Sequence, residues 1–262
     1  MDIIVCVKHV PDTTEVEMKI SEDGKSVKFE EAPYTINEWD EYAVEEAILK
    51  KEKYGGTVTV ITIGSEDADA TLRRCLAKGA DRAIRITDEA ISGSDAYAIA
   101  KILYNVIKDM KYDMILTGAQ ASDDGYGMVG VILAEMLGIP HAALVKKLDV
   151  EDEFAVVRRE LEGGLEEVLK VKLPALFTIQ TGINEPRYVS IMGIRRARSK
   201  EIKVLSLKDL GLSENEVGEE GSWLKIRKFY IPPPKKQAEI ISGSPSEEAA
   251  KLVEILKSRG VI

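Results

Sequence analysis

The chain has 262 residues, 45% of them apolar and 31% charged, a composition that excludes a disordered or membrane-embedded protein and suits one α/β domain with an appendage or two small domains. Its net charge of −9 excludes a general nucleic-acid binder, because neutralising phosphates needs a basic surface. Two cysteines without CxxC spacing and two histidines leave little material for a zinc site or a histidine-based triad.

Met1 to Lys8 reads as a buried strand and lacks the basic region and cleavage site of a signal peptide, so a cytoplasmic protein is expected. No apolar run approaches the roughly 18 residues that cross a bilayer, and no direct membrane insertion is expected. Short β-branched runs at Ile3–Val7, Val58–Ile63, Ala83–Ile86 and Met114–Leu116 have the character of parallel strands covered on both faces. Between and after them the period changes to that of a helix. Asn37 can cap Glu38–Lys53, and Ala68–Lys78, Asp95–Asp109 and Met128–Leu137 follow, the first, second and fourth helices ending at glycines. Strand and helix alternating about four times imply right-handed crossovers and a doubly wound, mostly parallel α/β sheet. Thr14–Tyr34 interrupts the series as a hairpin turning at Asp23-Gly24.

Beyond Pro140, "AALVKKLDV", "FAVVRRELEGG", "EEVLKVKL" and "ALFTIQT" are expected as antiparallel strands added to the edge of the sheet. A nucleotide-binding unit over 1–200 and an arm over 201–262 follow from the loss of core-like density after Lys200, where "SENEVGEEGS" and "YIPPPKK" read as loops or linkers. Ser246–Ser258 is an amphipathic helix with Ala249, Leu252, Val253 and Leu256 on one face, which either folds back or docks on a partner.

Ligands of open parallel sheets collect at the carboxyl ends of the strands, near the point where strand order reverses. The richest such end is "TGAQASDDGYGMVG", Thr117–Gly130, where Gly118, Ala119, Ala121, Ser122, Gly125, Gly127 and Gly130 leave backbone N–H groups open to a ligand. It leads into a helix N-terminus, whose partial positive charge favours phosphate. The plain alternative is that Asp123 or Asp124 caps that helix and the glycines only make turns. The first strand-loop-helix unit carries neither GxGxxG nor GxxxxGK[ST], which argues against an ordinary NAD dehydrogenase or ATPase. "RRARSK" is a basic cluster in an acidic chain, either a solvated face or a dock for an acidic partner.

Taken together, "CVKHVPDT", "INEWDEYAVEEA", "VTVITIG", "LRRCLAKGADRAI", "TGAQASDDGYGMVGVILAEMLGIP", "LEGGLEEV" with "LPALFTI", and "NEPRYVSIMGIRRARSK" resemble the β subunit of electron transfer flavoproteins, including the FixA-type proteins, along almost the whole chain. The resemblance implies a Rossmann-like adenine-nucleotide-binding fold and a heterodimer with an α subunit. The FAD of that α subunit passes electrons between dehydrogenases and quinone-linked or ferredoxin-linked acceptors. The β site then holds AMP, or a second FAD that takes a hydride from NADH in electron-bifurcating members. By position, the resemblance lines this site with Val7, His9, Asn37, Asp40, Gly64, Gly118, Gln120, Ala121, Ser122, Asp123, Gly125, Gly127, Met128, Val129 and Gly130. "VPDT", "INEWDEYAVEEA" and "SGSDAYA" look more like the bifurcating members, so a second FAD is expected, with AMP as the alternative. The family's Asp-Gly-Asp and following Gln are replaced by Asp123-Asp124-Gly125 and Met128, so the phosphate contacts of those side chains are not carried over. Residues 184–200 match the partner-recognition loop, which places Ile191 as its apolar anchor beside Arg195, Arg196 and Arg198. Any contact with a membrane is expected through partner subunits only.

Overall fold

In the computed structural model, residues 1–12, 14, 16, 18–29, 32–233, 238 and 240–262 are described. The first half follows the alternation of its apolar runs: β1 (Asp2–Cys6), β2 (His9–Pro11), β3 (Met18–Ile20), β4 (Val27–Phe29), β5 (Tyr34–Ile36), α1 (Glu38–Tyr54), β6 (Thr57–Ile63), α2 (Asp69–Lys78), β7 (Arg82–Ile86), α3 (Ala96–Ile107), β8 (Met114–Gly118) and α4 (Val129–Leu137). The second half adds β9 (His141–Glu151), β10 (Phe154–Glu160), β11 (Glu166–Lys172), β12 (Ala175–Ile179), α5 (Ile191–Ser199), β13 (Ile202–Leu205), the one-turn α6 (Gly218–Gly221) and α7 (Pro245–Ser258).

Nine strands form one sheet in the order β11-β10-β9-β12-β8-β1-β6-β7-β13. The seven from β9 to β13 run parallel, and β10 and β11 close one end antiparallel. Alternation along β1 divides the core between the two faces, as strand geometry requires. Ile3, Val5 and Val7 pack with Val44, Ala47 and Ile48 of α1 and Leu72 and Cys75 of α2. Ile4 and Cys6 pack with Ile102, Leu103 and Val106 of α3 and Leu133 and Ala134 of α4. Each such aliphatic side chain, fully buried, contributes about 1.5–3 kcal/mol relative to exposure. Cys6 and Cys75 are both free buried thiols, and burial pushes each up to about 12.

Three expectations need correction. "ALFTIQT" is not an added antiparallel edge strand: β12 inserts parallel between β8 and β9, because all five of its residues are buried and need cover on both faces. Core density does not end at Lys200. β13 pairs with β7, and Leu207, Leu212 and Val217 join the apolar cluster around α3, so "SENEVGEEGS" is folded into short helical turns rather than free linker. The 184–200 segment is not all loop, since Ile191–Ser199 is helical and Ser190 accepts the Gly193 N–H at its start.

The Asp23-Gly24 turn joins β3 and β4 in antiparallel register; residues 13, 15, 17, 30 and 31 of the expected hairpin lie outside the described residues, as do 234–236 of "YIPPPKK". The arm returns to this hairpin, where the Phe229 N–H donates to the Gly24 carbonyl at 2.7 Å. α7 starts at Pro245 after Ser244, whose N–H and hydroxyl both donate to Glu247. None of its residues is buried, and Leu252 and Val253 are exposed among the described residues. No helix of the described residues is long and apolar enough to cross a membrane.

Candidate functional site

The chain leaves β1 through α1 toward β6 and returns from β7 through α3 to β8 on the other side of β1. Strand order therefore reverses between β1 and β8, and their carboxyl ends open a crevice there. A cavity of about 210 Å³ occupies it.

Asp40, in the first turn of α1, is buried beneath this crevice. Its carboxylate accepts the Lys8 N–H at 2.7 Å and the Gly118 N–H at 2.9 Å, joining the end of β1 to the end of β8. Gly118 permits the approach, since a Cβ there would meet the Asp40 carboxylate and lie 2.7 Å from the Trp39 Cβ. Burial raises the Asp40 carboxyl to about 7, although both backbone N–H groups pull it down.

Asn37 does not cap α1 with its side chain. Instead its amide donates to the Gln120 carbonyl at 2.8 Å and accepts the Ser122 N–H at 3.1 Å, pinning the glycine loop to the helix that carries Asp40. Neither aspartate of that loop caps α4. Asp123 accepts the Asp124 N–H and Asp124 accepts the Tyr126 N–H, and Lys8 Nζ reaches both carboxylates at 2.7 Å. Partial burial opposes the charge on Lys8, but the hydrogen bonds to the two carboxylates outweigh it and raise its pKa.

α4 begins after Met128, whose side chain offers no cap, so the first N–H groups of the helix have no protein acceptor among the described residues. Gly130 brings this helix end down onto the sheet, since a Cβ there would lie 2.6 Å from Thr117 Oγ1 and 2.8 Å from Thr178 Cγ2. Gly127, Met128, Val129 and Gly130 line the cavity at this end, and Cys6, Ile61, Ile63, Ile99 and Leu103 form an apolar wall. The result is an apolar pocket with uncapped helix amides at one side and a cation at its rim. Such an arrangement suits a planar base joined to a phosphate.

Of the residues expected from sequence, the structure brings Val7, Asn37, Asp40, Gly118, Gln120, Ala121, Gly127, Met128, Val129 and Gly130 to the cavity. The other five lie outside its lining. His9 points to Thr71 Oγ1 at 2.9 Å and stacks on Tyr34, Gly64 donates to the Ile86 carbonyl, and Ser122, Asp123 and Gly125 hold the loop together. Lys8, Asp124 and the Ser94–Ala96 corner also line the cavity; Asp124 was expected only as a possible cap of α4, the corner only as part of "SGSDAYA", and Lys8 was not named as a site residue. The corner had a signal in "SGSD". Asp95 caps α3 through the Ala98 N–H and also accepts the N–H groups of Trp223 and Leu224, which fixes the take-off of the C-terminal arm at the cavity rim.

Residues 184–200 lie on the outer side of α1 and α2. Asn184 donates to Glu46 and the Tyr42 carbonyl, and Arg187 grips Glu45 and Glu52 with hydrogen bonds of 2.6–3.0 Å. Arg73 donates to the Ala197 and Lys200 carbonyls at the far end. Between these anchors Ile191 is 74% exposed, and Arg195, Arg196 and Arg198 are exposed beside it. An apolar side chain held out to solvent on a braced helix, within a basic patch, has the form of a protein-docking surface.

Residues 26–210 match the electron transfer flavoprotein domain. The chain is 44% identical to the electron transfer flavoprotein subunit beta of Methylophilus methylotrophus over 98% of both chains. It is 38% identical to the caffeyl-CoA reductase-Etf complex subunit CarD of Acetobacterium woodii over 100% of both, and 34% identical to Protein FixA of Azotobacter vinelandii over 94% of this chain and 90% of that one. With a switch-point cavity, an exposed apolar side chain on a braced helix and this similarity from end to end, the chain belongs to the β-subunit family of the electron transfer flavoproteins and serves in electron transfer.

Proposed function

We propose that this chain pairs with an electron transfer flavoprotein α subunit and holds an adenine nucleotide in the cavity between β1 and β8, its phosphate on the first amides of α4. In the favoured form the nucleotide is a second FAD. The complex then carries electrons from NADH or dehydrogenases to quinone- or ferredoxin-linked acceptors by bifurcation, in the cytoplasm, reaching a membrane only through partner subunits. The alternative is a simple carrier with structural AMP in the same cavity. The observation that carries the reading is the uncapped N-terminus of α4 beside an apolar cavity at the switch point.

When bound, a flavin supplies the hydride and single-electron chemistry. The residues of this chain hold and orient it. Asp40 and Asn37 fix the strand ends and the loop, and the apolar wall keeps water from the base. Ile191 with Arg195, Arg196 and Arg198 offers an anchor and charge steering to a dehydrogenase, and the exposed face of α7 with the arm before it offers a surface to the α subunit. The "VPDT", "INEWDEYAVEEA" and "SGSDAYA" stretches, which resemble the bifurcating members, support the second FAD over AMP. Purification with the α subunit and a count of nucleotides per heterodimer tests it. Two FAD and no AMP are expected; one FAD with one AMP selects the alternative, and no nucleotide in the β site removes both.

A further inference from the structure

We propose that Lys8 is the phosphate-recognising side chain of the cavity, held by Asp123 and Asp124 until the phosphate of an adenine nucleotide takes their place. This rests on the nucleotide reading above and extends it to a residue that sequence reasoning passed over. Among the described residues lining the cavity, Lys8 is the only cation, while Asp40, Asp95 and Asp124 are acids. The amides of α4 provide partial charge and hydrogen bonds, so without Lys8 a phosphate would meet no full positive charge and three carboxyl groups.

The carboxyl groups differ in what they require. Asp40 is occupied by the Lys8 and Gly118 N–H groups, and Asp95 by those of Ala98, Trp223 and Leu224. Asp123 and Asp124 each keep one backbone N–H, from Asp124 and Tyr126, if Lys8 leaves. The exchange therefore strands no acceptor. The Lys8 backbone stays in place because Asp40 holds its N–H, while the flexible four-carbon stem lets Nζ swing without moving the main chain. Its two ion pairs are partly exposed, the side chain of Lys8 being 39% accessible, and pairs of that kind are weak enough to be replaced. A phosphate gathers the same cation together with the α4 amides.

Calorimetric titration of the nucleotide-free full chain with AMP and with adenosine tests this. Lys8→Met is expected to weaken AMP binding about 10- to 100-fold, the worth of one charge-assisted hydrogen bond, and to leave adenosine within about twofold. Lys8→Arg is expected to keep most of the preference for AMP. The Asp123→Asn/Asp124→Asn double variant, which frees Lys8, is expected to bind AMP at least as tightly as wild type. Unaltered AMP binding by Lys8→Met, an equal loss for AMP and adenosine, or a loss in the double variant as large as in Lys8→Met each overturns the proposal, the last two by making Lys8 a latch on the loop. Should Lys8→Met fail to fold, Lys8→Gln takes its place and is read by the same criteria. A wild-type chain that binds neither ligand overturns the nucleotide reading itself, and the proposal with it.

Discussion

The carboxylate of Asp40 accepts the Gly118 N–H at 2.9 Å across the crevice where strand order reverses. The same group accepts the Lys8 N–H, and burial raises its pKa from an ordinary 3.8 to about 7. Between those two values the folded protein keeps a proton that the unfolded chain has released. The contribution of Asp40 to stability therefore falls as pH rises from about 4 to about 7 and is level above that. Asp40→Asn lacks this dependence. The stability of wild type minus that of Asp40→Asn, from urea unfolding at pH 5 and pH 8, is expected to be larger at pH 5; a difference that does not change with pH would contradict the assignment.

Arg187 braces the segment that leads into α5 against α1. Glu45, one of its two carboxylate partners, is 3% exposed, so removing the guanidinium leaves a buried carboxyl group answered, among the described residues, by the Arg187 backbone N–H alone. Arg187→Ala is expected to cost about 2–3 kcal/mol. Arg187→Lys should recover part of that, since a lysine restores the charge but not the fork. Urea unfolding gives the cost, and amide exchange over residues 184–190 should quicken in Arg187→Ala; unchanged exchange would show that the clamp does not hold this segment.

Asp95 ties the arm to the cavity rim, and Trp223 stacks on Tyr97 at 4.0 Å just beyond it. Asp95→Ala removes the cap of α3 and the one carboxylate oxygen that accepts two N–H groups of the arm, at an expected cost of about 1–2 kcal/mol. In a Trp39→Phe background the emission of Trp223 reports the stack. A red shift with greater acrylamide quenching is expected in Asp95→Ala, and identical spectra would mean that the arm is fastened elsewhere.

If the exposed Ile191 and its neighbouring arginines dock a partner as proposed, their contributions are separable. Ile191→Asp is expected to weaken binding of a dehydrogenase about 30-fold, mainly through faster dissociation. Arg196→Glu should instead slow association and flatten its dependence on salt. Surface plasmon resonance with the α–β complex separates the two, and wild-type kinetics in Ile191→Asp would move the docking surface away from α5.

The parallel core was legible in the sequence because β1, β6, β7 and β8 are continuous β-branched runs and their helices carry their own period and stops. β12 was legible as a strand but not in its place, since nothing local to "ALFTI" tells a central strand from an edge one until the chain's crossings are known. β13 escaped because "IKVL" is short and only half-buried, and its reason to exist is the open edge of β7. The glycine loop was legible as one contiguous stretch. Lys8 was not: its partners, Asp123 and Asp124, are 115 and 116 residues away, and only the fold brings them together.

The central claim is that the first amides of α4 and the glycine loop before it hold the phosphate of an adenine nucleotide. Titrating AMP into the ¹⁵N-labelled, nucleotide-free chain and following amide resonances tests it most directly. The largest changes are expected at Gly127 to Val131, with smaller ones at Lys8 and Gly118. A spectrum that does not respond to AMP, or that responds with residues 127–131 silent, would contradict the account.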